Sequence, residues 1–154
     1  MSHPAATPST TAPDLCNALA LRKASRHLTQ FYDRHLAGSG ITVNQFSILS
    51  RLRIYGPRTI NELAADLATD RTTMGRNLRP LERDGLVAIG ADHRDARRRA
   101  ISVTPAGIER ARAARDGWKA AQAAFETRYG ADHARALRET LAGLVALDLP
   151  HPAP

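Results

Sequence analysis

Residues 70–90, DRTTMGRNLRPLERDGLVAIG, concentrate the side chains of this sequence best suited to meeting a polyanion. At helical spacing Met74, Leu78 and Leu81 form one apolar stripe, and Thr72, Thr73, Arg76, Arg79 and Arg83 share the opposite face. Such a helix packs on one side and presents donors to phosphates and base edges on the other. Arg71, Thr72 and Thr73 stand at its start, where backbone N–H groups also face phosphate. Arg76 and Asn77, one turn on, carry the donors for base edges, arginine for guanine and asparagine for adenine. Arg79 and Arg83 suit phosphate better than bases. Taken alone, the same face reads equally as the solvated side of a surface helix.

Residues 92–107, DHRDARRRAISVTPAG, tip that balance. They read as part of a basic β-hairpin with Arg94, Arg97, Arg98 and Arg99 against only Asp92 and Asp95, more cation than solubility requires. Narrow minor grooves attract arginine through their enhanced negative potential, so the chemistry expected here is shape readout of duplex DNA. On a strand, one of Arg98 and Arg99 should point away from the DNA.

Other chemistries find little support. A catalytic site needs a positioned nucleophile, an acid/base pair or a metal set. Ser25 and Ser47 lie in no nucleophile-elbow motif, and no glycine-rich loop precedes a helix. Cys16 is the single cysteine, and the six histidines at 3, 27, 35, 93, 133 and 151 lack metal-ligand spacing. The sequence therefore predicts no enzyme, no metal and no cofactor. His27 and His35 read as interface or surface residues. An RNA-binding or non-specific architectural protein shares the basic charge, but calls for aromatic platforms or lysine-rich tails. Aromatic residues make up 5% of this chain and fall mostly at apolar positions.

The charge itself is broad evidence. Twenty-two Lys+Arg against 15 Asp+Glu give a formal net charge of +7, which favours a polyanionic partner without naming one. Lysine appears only at Lys23 and Lys119, so arginine dominates. That skew fits bidentate contacts to phosphate and guanine, and equally a GC-rich genome. No apolar run approaches the roughly 18–20 residues of a membrane span, and the start MSHPAATPSTTAPD has neither the charged head nor the apolar core of a signal peptide. A soluble, cytoplasmic protein without membrane contact is expected.

The elements that must position these groups follow from periodicity and caps. Residues 1–13 and 148–154 are poor in bulky apolar groups and read as tails. An amphipathic helix spans about 14–36, with Leu15, Leu19, Leu28, Phe31, Tyr32 and Leu36, and stops at Ala37-Gly38-Ser39-Gly40. Thr42 caps a second helix over 43–54, with Phe46, Leu49, Leu52 and Arg53 on its inner side. Thr59 and Glu62 have capping-box spacing and open a helix of about two turns. Asp70 caps the next after a short break, which makes a helix-turn-helix. Pro80 sits inside that helix, which on this reading is straight only over 70–79. Strands over 86–89 and 99–103 flank a polar tip, 90–97. A helix from Pro105 to about Tyr129 carries Ile108, Ala111, Trp118, Ala121 and Phe125, and a last one covers 131–147. The long terminal helices have narrow apolar stripes, which suit a dimer interface. The fold class is mainly α with a small β-wing: a winged helix-turn-helix at about 42–104 flanked by dimerisation helices at about 14–36 and 105–147.

This order of parts resembles the MarR family of winged-helix transcription regulators over residues 14–147. The most specific motif is Asp95-x-Arg97 followed by Ile101-Ser102-Val103-Thr104-Pro105-Ala106-Gly107, which matches the family's Asp-x-Arg … Leu-x-Leu-Thr-x-x-Gly pattern. Gly40-Ile41-Thr42 with Gln45-Phe46, Glu62-Leu63-Ala64, and Leu81-Glu82-Arg83-Asp84-Gly85-Leu86-Val87 also match. The resemblance implies a homodimeric repressor on a pseudo-palindromic operator, with the helix at 70–83 in the major groove and the wing in the minor groove. It implies that Arg97 enters the minor groove and that Asp95 orients it by an ion pair. The family's second wing arginine is replaced here by Ala96, which shifts tip contacts to Arg94, Arg98 or Arg99.

Two control devices follow from the same resemblance. One is a cleft for phenolic or other aromatic acids, with Arg26, Phe31, Tyr32, Phe46 and Trp118 as candidate lining residues; the alternative for these aromatics is plain core. The other is oxidation of a single cysteine in helix 1. Aligning Ser25-Arg26 and Tyr32 with that subgroup places its cysteine at Ala18, and two residues turn a helix by about 200°. Cys16 is thus read first as a packing residue of the dimer interface and second as a redox sensor.

Overall fold

The structure, a computed structural model, describes residues 15–93 and 95–149. Six helices and one hairpin follow in the order α1 Asn17–Leu36, α2 Val43–Tyr55, α3 Ile60–Asp66, α4 Arg71–Arg83, β1 Val87–Asp92, β2 Asp95–Val103, α5 Pro105–Tyr129 and α6 Ala131–Ala146. This is the mainly helical winged architecture that the sequence predicts. The expected terminal tails lie largely outside the described residues.

Local chemistry starts most of the helices. Thr42 and Thr59 each close a capping box, with Gln45 and Glu62 respectively, and Asp70 and Thr104 accept the N–H of the residue three positions on. Each such cap stabilises its helix by about 1 kcal/mol. Between α1 and α2 a 3₁₀ turn, Ala37–Ser39, ends at Gly40 in the left-handed region at φ 72. Helix α4 ends before Gly85, also left-handed at φ 68, from which the chain turns into β1.

The core centres on the winged domain, where Ile48, Leu49, Leu52, Leu63, Met74 and Leu81, joined by Leu36 from the end of α1, are the largest fully buried side chains. Side chains of this size contribute about 1.5–3 kcal/mol each on burial. Helix α5 leans on this core through Ala111 and Ala114, and the long helices come close at Gly117. A Cβ there would lie 2.4 Å from the His35 carbonyl oxygen of α1. The Thr104-Pro105-Ala106-Gly107 motif has a similar meaning. The Thr104 hydroxyl donates to the Gly85 carbonyl at 2.6 Å and accepts from the Gly107 N–H at 3.0 Å. A Cβ at Gly107 would meet the Leu86 oxygen at 2.0 Å, so glycine is required for the wing and α5 to join.

Two expectations are corrected. Arg53 is exposed, and Ile48 takes the inner position on α2, because the buried arc centres on Ile48, Leu49 and Leu52. Helix α4 continues through Pro80 to Arg83, as its sequence span requires, with Leu78 and Leu81 buried on either side of the proline. The strands are longer than predicted and meet within a residue or two of His93, so Arg97 lies on β2 rather than on a loop. Backbone pairing extends through polar residues that carry no apolar alternation. The α2–α3 loop adds a bridge that the sequence did not signal: Arg58 and Ile101 exchange both backbone hydrogen bonds, at 3.0 and 2.7 Å.

Candidate nucleic-acid interface

Helix α4 divides as its pattern requires. Met74, Leu78 and Leu81 are buried, while Arg71, Thr72, Arg76 and Arg79 are exposed. The Asp70 carboxylate accepts from the Thr73 N–H at 2.8 Å and the Thr73 hydroxyl at 2.6 Å. Those bonds hold its carboxyl below the ordinary carboxylate value. Thr73 is thereby engaged by its own helix cap. Asn77 is half-buried and its Nδ2 donates to the Thr73 carbonyl at 3.1 Å. Both residues line a notch of about 360 Å³ against α2, together with Asn44 and Thr69. Of the predicted base-reading pair, Arg76 is directed outward and Asn77 turns toward the flank. Arg83 is exposed but its Nε meets Asp84 at 2.8 Å, which raises the arginine's pKa and lowers the carboxyl's. Arg71 donates to the Asn61 Oδ1 at 3.0 Å.

In the wing the ladder runs from Val87↔Val103 to Ala91↔Arg99 and then jumps to Asp92↔Asp95. Residues 96–98 therefore have no partner among the described pairs, and β2 bulges where Arg97 and Arg98 sit. The bulge removes the strict alternation on which the choice between Arg98 and Arg99 depended. Arg97, Arg98 and Arg99 are all exposed, and Arg99 reaches back to the Ile89 carbonyl at 3.5 Å. The Asp95 Oδ1 accepts the Arg97 backbone N–H at 3.0 Å, a contact with the main chain rather than with the guanidinium. Arg94 lies outside the described residues.

A cavity of about 410 Å³ opens between α2 and α5. Phe46 and Trp118 form its aromatic wall, their ring centroids 6.0 Å apart, and Ser47, Ser50, Arg51, Arg53, Arg112 and Arg115 supply polar groups. Arg51 meets Asp66 at 3.5 Å and Arg112 meets Glu109 at 2.5 Å. No acidic partner is seen for Arg53 or Arg115 among the described residues. The other candidate lining residues lie elsewhere. Phe31 and Tyr32 pack edge to face on α1, and the Tyr32 hydroxyl donates to Gln122 of α5. Burial is the first cause that raises the Tyr32 pKa, followed by the charge of Glu126. Arg26 is exposed on α1, and Cys16 is exposed at the helix N-cap. The cavity arginines were missed in the sequence, although Ile108, Ala111, Arg115 and Trp118 follow helical spacing on α5.

Comparison with known proteins gives this geometry its context. The MarR family model matches residues 41–98, from the α1–α2 connection into β2. The Mycobacterium tuberculosis transcriptional regulator MosR, solved in complex with DNA, is 37% identical over 84% of this chain and 92% of its own, with a TM-score of 0.74. The chain belongs to the MarR family. A probable transcriptional regulator from Pseudomonas aeruginosa, 27% identical, shares the MarR fold over 86% of this chain and 98% of its own at a TM-score of 0.76. BpsR of Bordetella bronchiseptica, whose DNA binding is regulated by 6-hydroxynicotinic acid, has a TM-score of 0.79 over 91% of this chain and 100% of its own. At 18% identity that likeness concerns the MarR fold alone. A search of curated protein sequences gave no match. The MarR relatives are transcriptional regulators rather than enzymes, and this chain is a MarR-family transcriptional regulator. No helix among its described residues is long and apolar enough to cross a membrane.

Proposed function

We propose that this regulator works as a homodimeric repressor that binds a pseudo-palindromic operator and leaves it when a small anionic aromatic effector binds. The observation that carries the DNA-binding part is the pairing of two exposed arginine surfaces, Arg71, Arg76 and Arg79 on α4 and Arg97, Arg98 and Arg99 on β2, on elements that share one buried core. Helix α4 enters the major groove, with Arg76 at base edges and Arg71, Thr72 and Arg79 at phosphates. The bulged wing carries Arg97 to the minor groove. Half-sites stand about one turn apart, roughly 34–36 Å.

Dimerisation draws on α1 and α6. Leu21 of α1 and Leu144 and Val145 of α6, with Leu15, Leu147 and Leu149 beside those helices, are all exposed on the single chain, apolar side chains that a second copy would cover. The effector reading rests on the α2–α5 cavity, where an aromatic wall faces the Arg53 and Arg115 cations. A ligand preferring one spacing of the two wings lowers DNA affinity by its differential binding energy.

One titration tests the reading: labelled duplex from immediately upstream of the protein's own gene, with excess unrelated DNA, alongside light scattering of the free protein. Specific binding by a species of twice the chain mass is expected. Binding abolished by the competitor would favour a non-specific architectural protein instead. A mild-peroxide arm with Cys16→Ser is expected to show no difference from wild type.

A further inference from the structure

Among the described residues, arginines with side-chain partners differ in what holds them. Arg51, Arg83, Arg112, Arg135 and Arg138 meet carboxylates, on Asp66, Asp84, Glu109, Asp132 and Glu126. Arg71, the first residue of α4, is held by a neutral amide: its Nη1 donates to the Asn61 Oδ1 at 3.0 Å. The carboxylates adjacent in sequence to Arg71 and to Asn61 are already engaged. Asp70 accepts from Thr73 twice, and Glu62 closes the capping box with the Thr59 N–H at 2.7 Å and the Thr59 hydroxyl at 3.1 Å.

We infer that Asn61 is a positioning residue for DNA binding, which aims the Arg71 guanidinium at a backbone phosphate while leaving its charge uncancelled. The inference rests on the DNA-facing reading of α4. An arginine neutralised by a carboxylate must break an ion pair before it can serve a phosphate, whereas one oriented by an amide keeps its full charge and most of its five N–H donors. Asn61 is a stable post because it lies in the first turn of α3, between the two members of that capping box. Buried Leu63 and Ala64, together with the Thr69 N–H to Ala64 oxygen bond of 2.9 Å, lock α3 to the start of α4. The spacing of the two side chains is thus set by two capped helices rather than by a loop.

The test uses the full chain and a fluorescent duplex of mixed sequence, titrated across a salt series, because a phosphate contact is independent of sequence. Arg71→Ala should weaken binding and flatten the salt slope by about one. Asn61→Ala should weaken it about threefold in the wild-type background and leave binding unchanged in the Arg71→Ala background. Asn61→Asp should bind worse than Asn61→Ala, since the new carboxylate neutralises the guanidinium and faces the phosphate. Both residues are exposed, so unchanged thermal melting is expected in every variant. Equal losses from Asn61→Ala with and without Arg71, or Asn61→Asp binding like wild type, would overturn the inference. Losses in Arg76→Ala and Arg79→Ala with none in Arg71→Ala would overturn it while leaving the DNA-facing reading intact. No loss in any of the three arginine variants would remove both.

Discussion

The winged domain and the terminal helices solve the burial problem differently. Helices α2, α3 and α4 with the hairpin close around Ile48, Leu49, Leu52, Leu63, Met74 and Leu81, so this part of the molecule hides most of its apolar residues within one chain, Ile54 and Tyr55 excepted. Helix α1, 20 residues long, buries only Leu36, and α6, 16 residues long, only Ala134. A helix stripe that stays in water contributes little stability, and helical propensity alone holds a segment of this length only marginally. The contrast teaches that the winged domain buries its core with help from Leu36 of α1 and Ala111 and Ala114 of α5, whereas the terminal helices leave in water the apolar residues that the proposed homodimer would cover.

The most disruptive way to probe that contrast is a pair of core and surface changes. Leu49→Ala, at a fully buried position, should cost about 2–5 kcal/mol of stability in thermal or denaturant unfolding, whatever the protein concentration. Val145→Asp, at a side chain 75% exposed on the single chain, should leave the winged domain folded yet shift light scattering toward monomer and remove the concentration dependence of melting that a dimer shows. If Val145→Asp stays dimeric, the interface lies elsewhere than the α6 end. Within the DNA-facing half, Arg97→Ala should weaken operator binding by about 1–3 kcal/mol, measured by titration on duplex DNA. Affinity equal to wild type would separate the wing from recognition and leave α4 alone.

Two smaller effects sharpen the same division. Ala68 adopts φ 48 in the turn between α3 and α4, the one described non-glycine residue with positive φ. Because a left-handed non-glycine residue costs about 1–2 kcal/mol and glycine loses part of that gain in chain entropy, Ala68→Gly should raise stability by about 0.5–1 kcal/mol. No rise in melting temperature would show the turn to be unstrained. The Asp70 cap supplies a pH dependence. Its folded pKa lies below the ordinary value of 3.8, so its contribution is fully present above the unfolded value and fades as pH falls through the folded one. Acid unfolding of Asp70→Asn should show a shallower pH dependence in that window, and an unchanged profile would discount the cap.

How much of this was readable depends on the range of the interaction. The caps at Thr42, Thr59 and Asp70 act over three residues, and each emerged where the sequence placed it; Thr104 with Gly107 adds one of the same range that the structure revealed. The α4 stripe of Met74, Leu78 and Leu81 is equally local in origin. Arg53 misled because periodicity marks a helix side without stating how wide the buried arc is. The wing misled because backbone hydrogen bonds lengthened β1 and β2 through residues with no apolar alternation, and the bulge at 96–98 follows from closing the hairpin.

Caps, periodicity and charge were written in the sequence by itself, because each depends on neighbours one helical turn apart. They determined the element order and the outward-facing cationic residue types, and the wing motif carried the family resemblance. The tertiary structure alone decided which side chains meet across elements: Arg71 held by Asn61 ten residues away, and Phe46 brought across to Trp118. These partners belong to different helices, and only the packing of those helices around a shared core sets such distances.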